Sequence, residues 1–230
     1  LLPSALRHAI MAPGACPGRS WKGKSEMNHL FDPENRFWSF VNKIMDVFFI
    51  GILWFVFSIP IVTAGAAFTA LYQFTLKQTD DEEGYVWKSF WRAFVKNFRQ
   101  STLLWLAVLA SGAFLAADLY ACLHMDLPGV WRSMSFGILA CLAVLWLLTS
   151  LYLFPLISRY DRPMGLIVKD AFVMAVGNLT VSVTILVIYA AFLALSWLLP
   201  ILFPIFIALG AFVSSYLFRY VFSRYWEDVR

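Results

Sequence analysis

Charge is scarce in this 230-residue chain: charged side chains make up 14% of it, against 61% hydrophobic residues and a mean hydropathy of +0.72. A soluble domain needs a wetted surface, and this composition cannot supply one. Histidine is scarcer still, at three, and His8 and His29 precede the apolar part of the chain. Metal or acid–base chemistry would therefore lean on His124, whose neighbours Asp118 and Asp126 in "DLYACLHMDLPGVWR" read as loop residues rather than as a ligand set. There is no GxSxG elbow, no HExxH pair, and no intramembrane histidine to activate Ser111, Ser133 or Ser196. The chain reads as non-enzymatic, with no cofactor. Its three cysteines, Cys16, Cys122 and Cys141, form no CxxC pair and no even framework, which argues against structural disulfides. Most of the net charge of +4 comes from Arg7, Arg19, Lys22 and Lys24, leaving no basic domain for nucleic acid.

What the chain has in abundance is long apolar runs. The opening stretch, Leu1–Glu26, is rich in Pro, Gly and Ser, lacks the apolar core of a secretory signal, and is expected to be a disordered extension ahead of Met27. From residue 27 to 230 the chain reads as one transmembrane domain. Runs of roughly the length needed to cross a bilayer fall at about 41–57, 61–76, 102–122, 130–157, 179–198 and 201–222. Pro60 ends the first, because proline removes a donor and disfavours helix at Ile59. The expected fold is an all-α polytopic transmembrane bundle of about six helices arranged as three hairpins. The second run is short, so a re-entrant hairpin is the alternative for the first pair.

Lys and Arg near the ends of these runs fall almost entirely on one side. Arg36, Lys43, Lys77, Lys88, Arg92, Lys96, Arg99, Arg159, Arg162, Lys169, Arg219, Arg224 and Arg230 share it, while the other side holds Arg132. The positive-inside rule then places both termini in the cytoplasm of a cytoplasmic (inner) membrane protein.

Two stretches repeat. "KSFWRAFVKNFRQS" (88–101) aligns without gaps to "KDAFVMAVGNLTVS" (169–182), matching Asn97 with Asn178 and Ser101 with Ser182. Each precedes a pair of apolar runs that closes in Ser-Arg-Tyr, at Ser158, Arg159 and Tyr160 and at Ser223, Arg224 and Tyr225. Repeat units of about 85–161 and 163–226 follow, each with an even number of crossings and hence parallel to one another. An arginine that snorkels and a tyrosine ring both suit the headgroup layer, so anchoring is the simpler reading of these endings, and a paired site near the pseudo-axis the sharper one.

The first repeated stretch is amphipathic. Trp87, Phe90, Trp91, Phe94 and Phe98 fall on one helical face and Lys88, Arg92, Lys96 and Arg99 on another. It is expected to form a short interfacial helix against membrane lipids or to dock a partner. The acidic run Asp80, Asp81, Glu82 and Glu83 just ahead is expected to be a solvated helix start. Asp118 is ionisable within an apolar run and Arg132 opens the next, so a salt bridge between them across the short loop is expected. Small residues four apart, among them Gly65/Thr69 and Ala66/Ala70, read as packing seams.

"SIPIVTAGAAFTALY" (58–72), "DEEGYVWKSFWRAFVKNFRQST" (81–102) and, within them, the Pro-Ile-Val-Thr-Ala-Gly stretch at 60–65 resemble the YesL family of bacterial integral membrane proteins. The likeness runs from about Met27 to the C-terminus. It implies a polytopic protein without settled biochemical activity, of a kind often encoded near carbohydrate uptake and glycan-degradation systems, and brings no catalytic residues.

The function expected is therefore an accessory or scaffold component of a membrane complex, linked through the resemblance to a sugar importer. The residues expected to carry contacts are Trp87, Lys88, Trp91, Arg92, Phe94, Asn97, Arg159, Tyr160, Asn178, Arg224 and Tyr225. A small-solute transporter or channel built from the repeated hairpins is the alternative.

Overall fold

A computed structural model describes residues 36–80, 85–124 and 129–226. The proposed extension at 1–26, Met27, Asp81, Glu82, Glu83 and Asp126 lie outside the described residues. The chain divides into two units, Leu1–Asn42 and Lys43–Arg230. Of the first, the opening turns of a helix from Arg36 are described; all that follows concerns the second.

The described residues are helical, with no strand among them. The helices are α1 (Arg36–Ser58), α2 (Ala64–Thr79), α3 (Val86–His124), α4 (Gly129–Arg159), α5 (Met164–Gly177), α6 (Leu179–Leu198) and α7 (Phe203–Trp226), with 3₁₀ turns at Ile61–Thr63 and Pro200–Leu202. Among the described residues five segments are long and apolar enough to cross a bilayer: Val41–Ser58, Val86–His124, Gly129–Arg159, Leu179–Leu198 and Pro200–Tyr225. This is an integral membrane protein of the helical type.

Of the six apolar runs expected, the second is the one not among these five: α2, at 16 residues, is about 24 Å long and falls short of the ~30 Å hydrocarbon layer. Nor does it face lipid: every residue of α2 except Phe68, Gln73 and Lys77 is buried. It returns along α1, with Gln78 Nε2 donating to the Lys43 carbonyl at 3.2 Å and the Trp54 ring against Phe68 at 5.0 Å. Whatever its depth, the α1–α2 hairpin begins and ends on one side.

The "PIVTAG" stretch builds its tip. Pro60 stops α1; Thr63 Oγ1 reaches the Phe57 and Pro60 carbonyls at 2.7 and 2.9 Å, satisfying acceptors the broken helix leaves open. Trp105 Nε1 on α3 donates to the Ile61 carbonyl at 2.8 Å. Gly65 lies so close to α3 that a Cβ there would sit 2.4 Å from Trp105 Cβ and 2.7 Å from the Ser101 carbonyl oxygen.

A second correction concerns α3. The separate short interfacial helix expected before Thr102 does not form; one 39-residue helix runs from Val86 to His124. It is about 58 Å long, nearly twice the hydrocarbon thickness. No Gly or Pro stands where the amphipathic part meets the apolar part, and there the polar Asn97 and Ser101 turn inward to α2 rather than breaking the helix, with Asn97 Nδ2 3.4 Å from Gln73 Oε1 and the Ser101 and Thr69 hydroxyls 2.8 Å apart. In the aligned stretch Gly177 and Asn178 do interrupt, separating α5 from α6.

The three returning helices, α2, α4 and α7, meet in the core. Phe218 is the hinge of their packing, with Tyr72 and Tyr152 edge-on at 5.7 and 5.1 Å. Ser215 donates to Thr75 Oγ1 across α7 and α2 at 2.8 Å. In hydrocarbon an unpaired hydroxyl is costly, so such cross-helix pairs select one packing register more than they add net stability.

Candidate functional site

The ends of α2, α4 and α7 are tied by one carboxylate. Asp80, directly after α2, takes Arg159 Nη1 on Oδ2 and Arg219 Nε on Oδ1, each at 3.2 Å. Arg219 Nη1 also donates to the Thr79 carbonyl. Both Asp80 oxygens thus hold a guanidinium, and Arg219 caps the last turn of α2, where a helix terminus favours a cation. The sequence makes Asp80 part of a solvated acidic run; in the structure it is the point where three helices close. The available signal was its place at the end of one returning helix on the side where the others end in arginine.

Arg224, matched to Arg159 by the repeated ending, is exposed, and Arg219, more than a turn earlier, takes the position opposite Asp80. The tyrosines turn inward. Tyr160 packs edge-on against Phe222 at 5.8 Å, and burial pushes its phenol pKa up while Arg159 and Arg162 pull it back. Tyr225 OH accepts from Asn178 Nδ2 at 3.1 Å, and a Cβ on the adjacent Gly177 would meet that oxygen at 2.4 Å. Asn178 and Tyr225, both among the residues expected to carry interaction contacts, thus bind each other.

The aligned pairs occupy matching surroundings. Asn97 and Asn178 are both buried, and Ser101 and Ser182 are both sealed from solvent. Ser101 bonds Thr69 of α2, while Ser182 bonds Tyr152 OH of α4 at 2.9 Å; each partner comes from the helix preceding the aligned stretch. A further hydroxyl cluster, absent from the sequence reading, joins Tyr72 OH on α2 to Tyr189 OH on α6, with Ser214 Oγ 3.5 Å from the latter.

What remains outward is the start of α3. Phe90 and Phe94 are buried against Phe57, with rings at 5.5 and 5.2 Å, so two of the five residues of the expected aromatic face are core. Trp87 and Trp91 are exposed and stacked, 6.2 Å apart at an interplanar angle of 8°. Lys88 and Arg92 flank them, also exposed. Lys96 faces the α4–α5 linker, paired with Asp161 at 2.7 Å, a contact that exposure makes weak.

The ion pair expected between Asp118 and Arg132 does not form. The α3–α4 register sets Cys122 opposite Arg132, with Cys122 Sγ 3.8 Å from the Arg132 carbonyl, and Trp146 Nε1 donates to Ser111 Oγ at 2.9 Å. Asp118 is about one turn deeper than Arg132's level, ~6 Å along the axis, and Arg132 is exposed at the helix start. His124 stacks on Tyr120 at 4.0 Å, and no group of metal-ligating side chains occurs among the described residues. Cys122 and Cys141 are free thiols.

Comparison with known proteins agrees with the resemblance read from the sequence. Residues 47–119 match a family described as "Protein of unknown function, DUF624". That stretch holds most of α1, the tip, α2, Asp80 and nearly all of α3. The chain is also 26% identical over 150 residues to the "Uncharacterized protein YesL" of Bacillus subtilis (strain 168), an alignment covering 62% of this chain and 68% of that protein. No solved structure matches. The likeness to the YesL family is thereby borne out.

Proposed function

We propose that this protein is a non-enzymatic accessory subunit of a cytoplasmic-membrane complex, docking a partner at the stacked Trp87–Trp91 edge with Lys88 and Arg92 at its rim. The observation that carries this reading is the exposure of two parallel indoles in the first turns of a helix far longer than a bilayer is thick. Tryptophan with a flanking arginine is the composition of interface centres. Both termini are cytoplasmic in this reading: three outward-and-return pairs end on the side where Lys and Arg gather. Carbohydrate uptake enters through the family resemblance, not through any residue.

Site-specific photo-crosslinking in native membranes tests the docking edge. A photoreactive residue at position 91 should give a discrete protein adduct, and one at Val187, exposed on α6, should give lipid adducts. Lipid adducts at both positions would defeat the reading. Unchanged sugar uptake on deletion would remove its carbohydrate part.

The transporter alternative draws on the hydroxyls of Tyr72, Tyr189 and Ser214. These bond one another, as packing hydroxyls do. Solute flux in liposomes that is lost in Tyr189→Phe would reverse the choice.

A further inference from the structure

Between the mid-length of α3 and the α4–α5 linker lies an open groove of about 630 Å³, on the flank where Arg99, Thr102, Leu103, Leu106, Arg162 and Met164 meet. Its two ends differ in chemistry. Arg99 and Arg162 stand at one; Leu103 and Leu106, both exposed, extend the other by one and two turns along α3 toward the apolar part of the helix. The linker that forms its rim is held in place, since Gln100 Nε2 donates to the Arg162 carbonyl at 2.7 Å and Lys96 binds Asp161.

Three features make the polar end attractive to an anion. Arg162 Nη1 is 3.3 Å from Asp170 Oδ2, and Lys96 is matched by Asp161, so those charges are offset. Arg99 is exposed and has no ion pair among the described residues, leaving the polar end with one cation in excess. The third feature is the start of α5. Its N-cap is Pro163, which makes no side-chain cap bond, and there is no acidic residue in the first turn. Pro163 and Met164 line the groove, which puts this uncapped helix terminus, with its partial positive charge, beside Arg99. Thr102 Oγ1, in the floor, is buried without a hydrogen-bond partner.

From this we infer that the groove is a binding site for an anionic phospholipid: its phosphate lies between Arg99 and the first turn of α5, and an acyl chain lies along Leu103 and Leu106. A single phosphate matches the single excess cation, and the apolar wall continuing toward the hydrocarbon distinguishes a lipid from a soluble phosphate. The site is independent of the Trp87–Trp91 edge, and the two proposals stand or fall separately.

The test uses the full chain in nanodiscs of equal phosphatidylglycerol and phosphatidylcholine, with native mass spectrometry of the lipids retained after release. The wild-type protein should retain phosphatidylglycerol in preference to phosphatidylcholine. Arg99→Gln should lower that preference about fivefold, the effect of one basic residue near a lipid surface, while Arg92→Gln, away from the groove, should leave it unchanged. Equal retention of the two lipids by the wild type would overturn the site without need of any variant. Equal loss in Arg92→Gln and Arg99→Gln would also overturn it, as diffuse surface charge. Displacement of the bound lipid by dissolved glycerol phosphate would reassign the groove to a soluble anion.

Discussion

Gly65→Val should lower the melting temperature in mild detergent by on the order of 10 °C, as a loss of about 3–5 kcal/mol implies. The atoms that a side chain at Gly65 would meet, Trp105 Cβ at 2.4 Å and the Ser101 carbonyl oxygen at 2.7 Å, belong to or adjoin the α3 backbone and cannot swing aside. Relief requires α2 and α3 to separate. One turn along, that separation pulls apart the Thr69 and Ser101 hydroxyls, both buried, and leaves each without its cross-helix partner. At the tip it stretches the Trp105 bond to the Ile61 carbonyl. Gly137→Ala is the control, because nothing lies within 4 Å of the added methyl; its melting should be unchanged or higher. A Gly65→Val protein that melts with the wild type would mean that α2 and α3 do not approach as closely as described.

The same stretch shows how far the sequence could be read. Pro60 and the small residues after it announced a turn and a packing seam, and both are present. That α2 is buried on nearly every side was not legible, because hydropathy does not distinguish a helix surrounded by lipid from one surrounded by other helices. The continuity of α3 was missed for a related reason. Amphipathic and apolar segments usually meet at a break, but between Phe98 and Thr102 there is no Gly or Pro to make one, and Asn97 and Ser101 find partners on α2.

At the candidate site, residue types were readable and partners were not. Asn178 and Tyr225 were identified from the repeat, yet their mutual hydrogen bond depends on Gly177 letting the phenol approach. Asp118 and Arg132 had the right chemistry and proximity in sequence, and failed by about one helical turn of register. Tyr72 and Tyr189, 117 residues apart, carry no local signal that they meet.

Asp80 is where a change should be felt furthest from its own helix. Asp80→Asn keeps the shape and removes the charge, leaving Arg159 and Arg219 facing each other over a neutral amide; a loss of about 1–2 kcal/mol is expected, a charged hydrogen-bond network discounted for its partial exposure. Asp80→Arg should cost more, because it gathers three guanidiniums at the ends of α2, α4 and α7 and removes the carboxylate that two of them share. Pairing it with Arg159→Asp should restore part of the loss, since one opposite-charge contact reforms while Arg219 still faces a cation. Melting in low and high salt separates charge from shape: at about 1 M salt, where the screening length falls to ~3 Å, the gap between wild type and Asp80→Asn should narrow. If it stays constant, Asp80 holds the three helices through hydrogen-bond geometry rather than ionic attraction. If Asp80→Arg melts no lower than Asp80→Asn, the three ends are not bound together at this carboxylate.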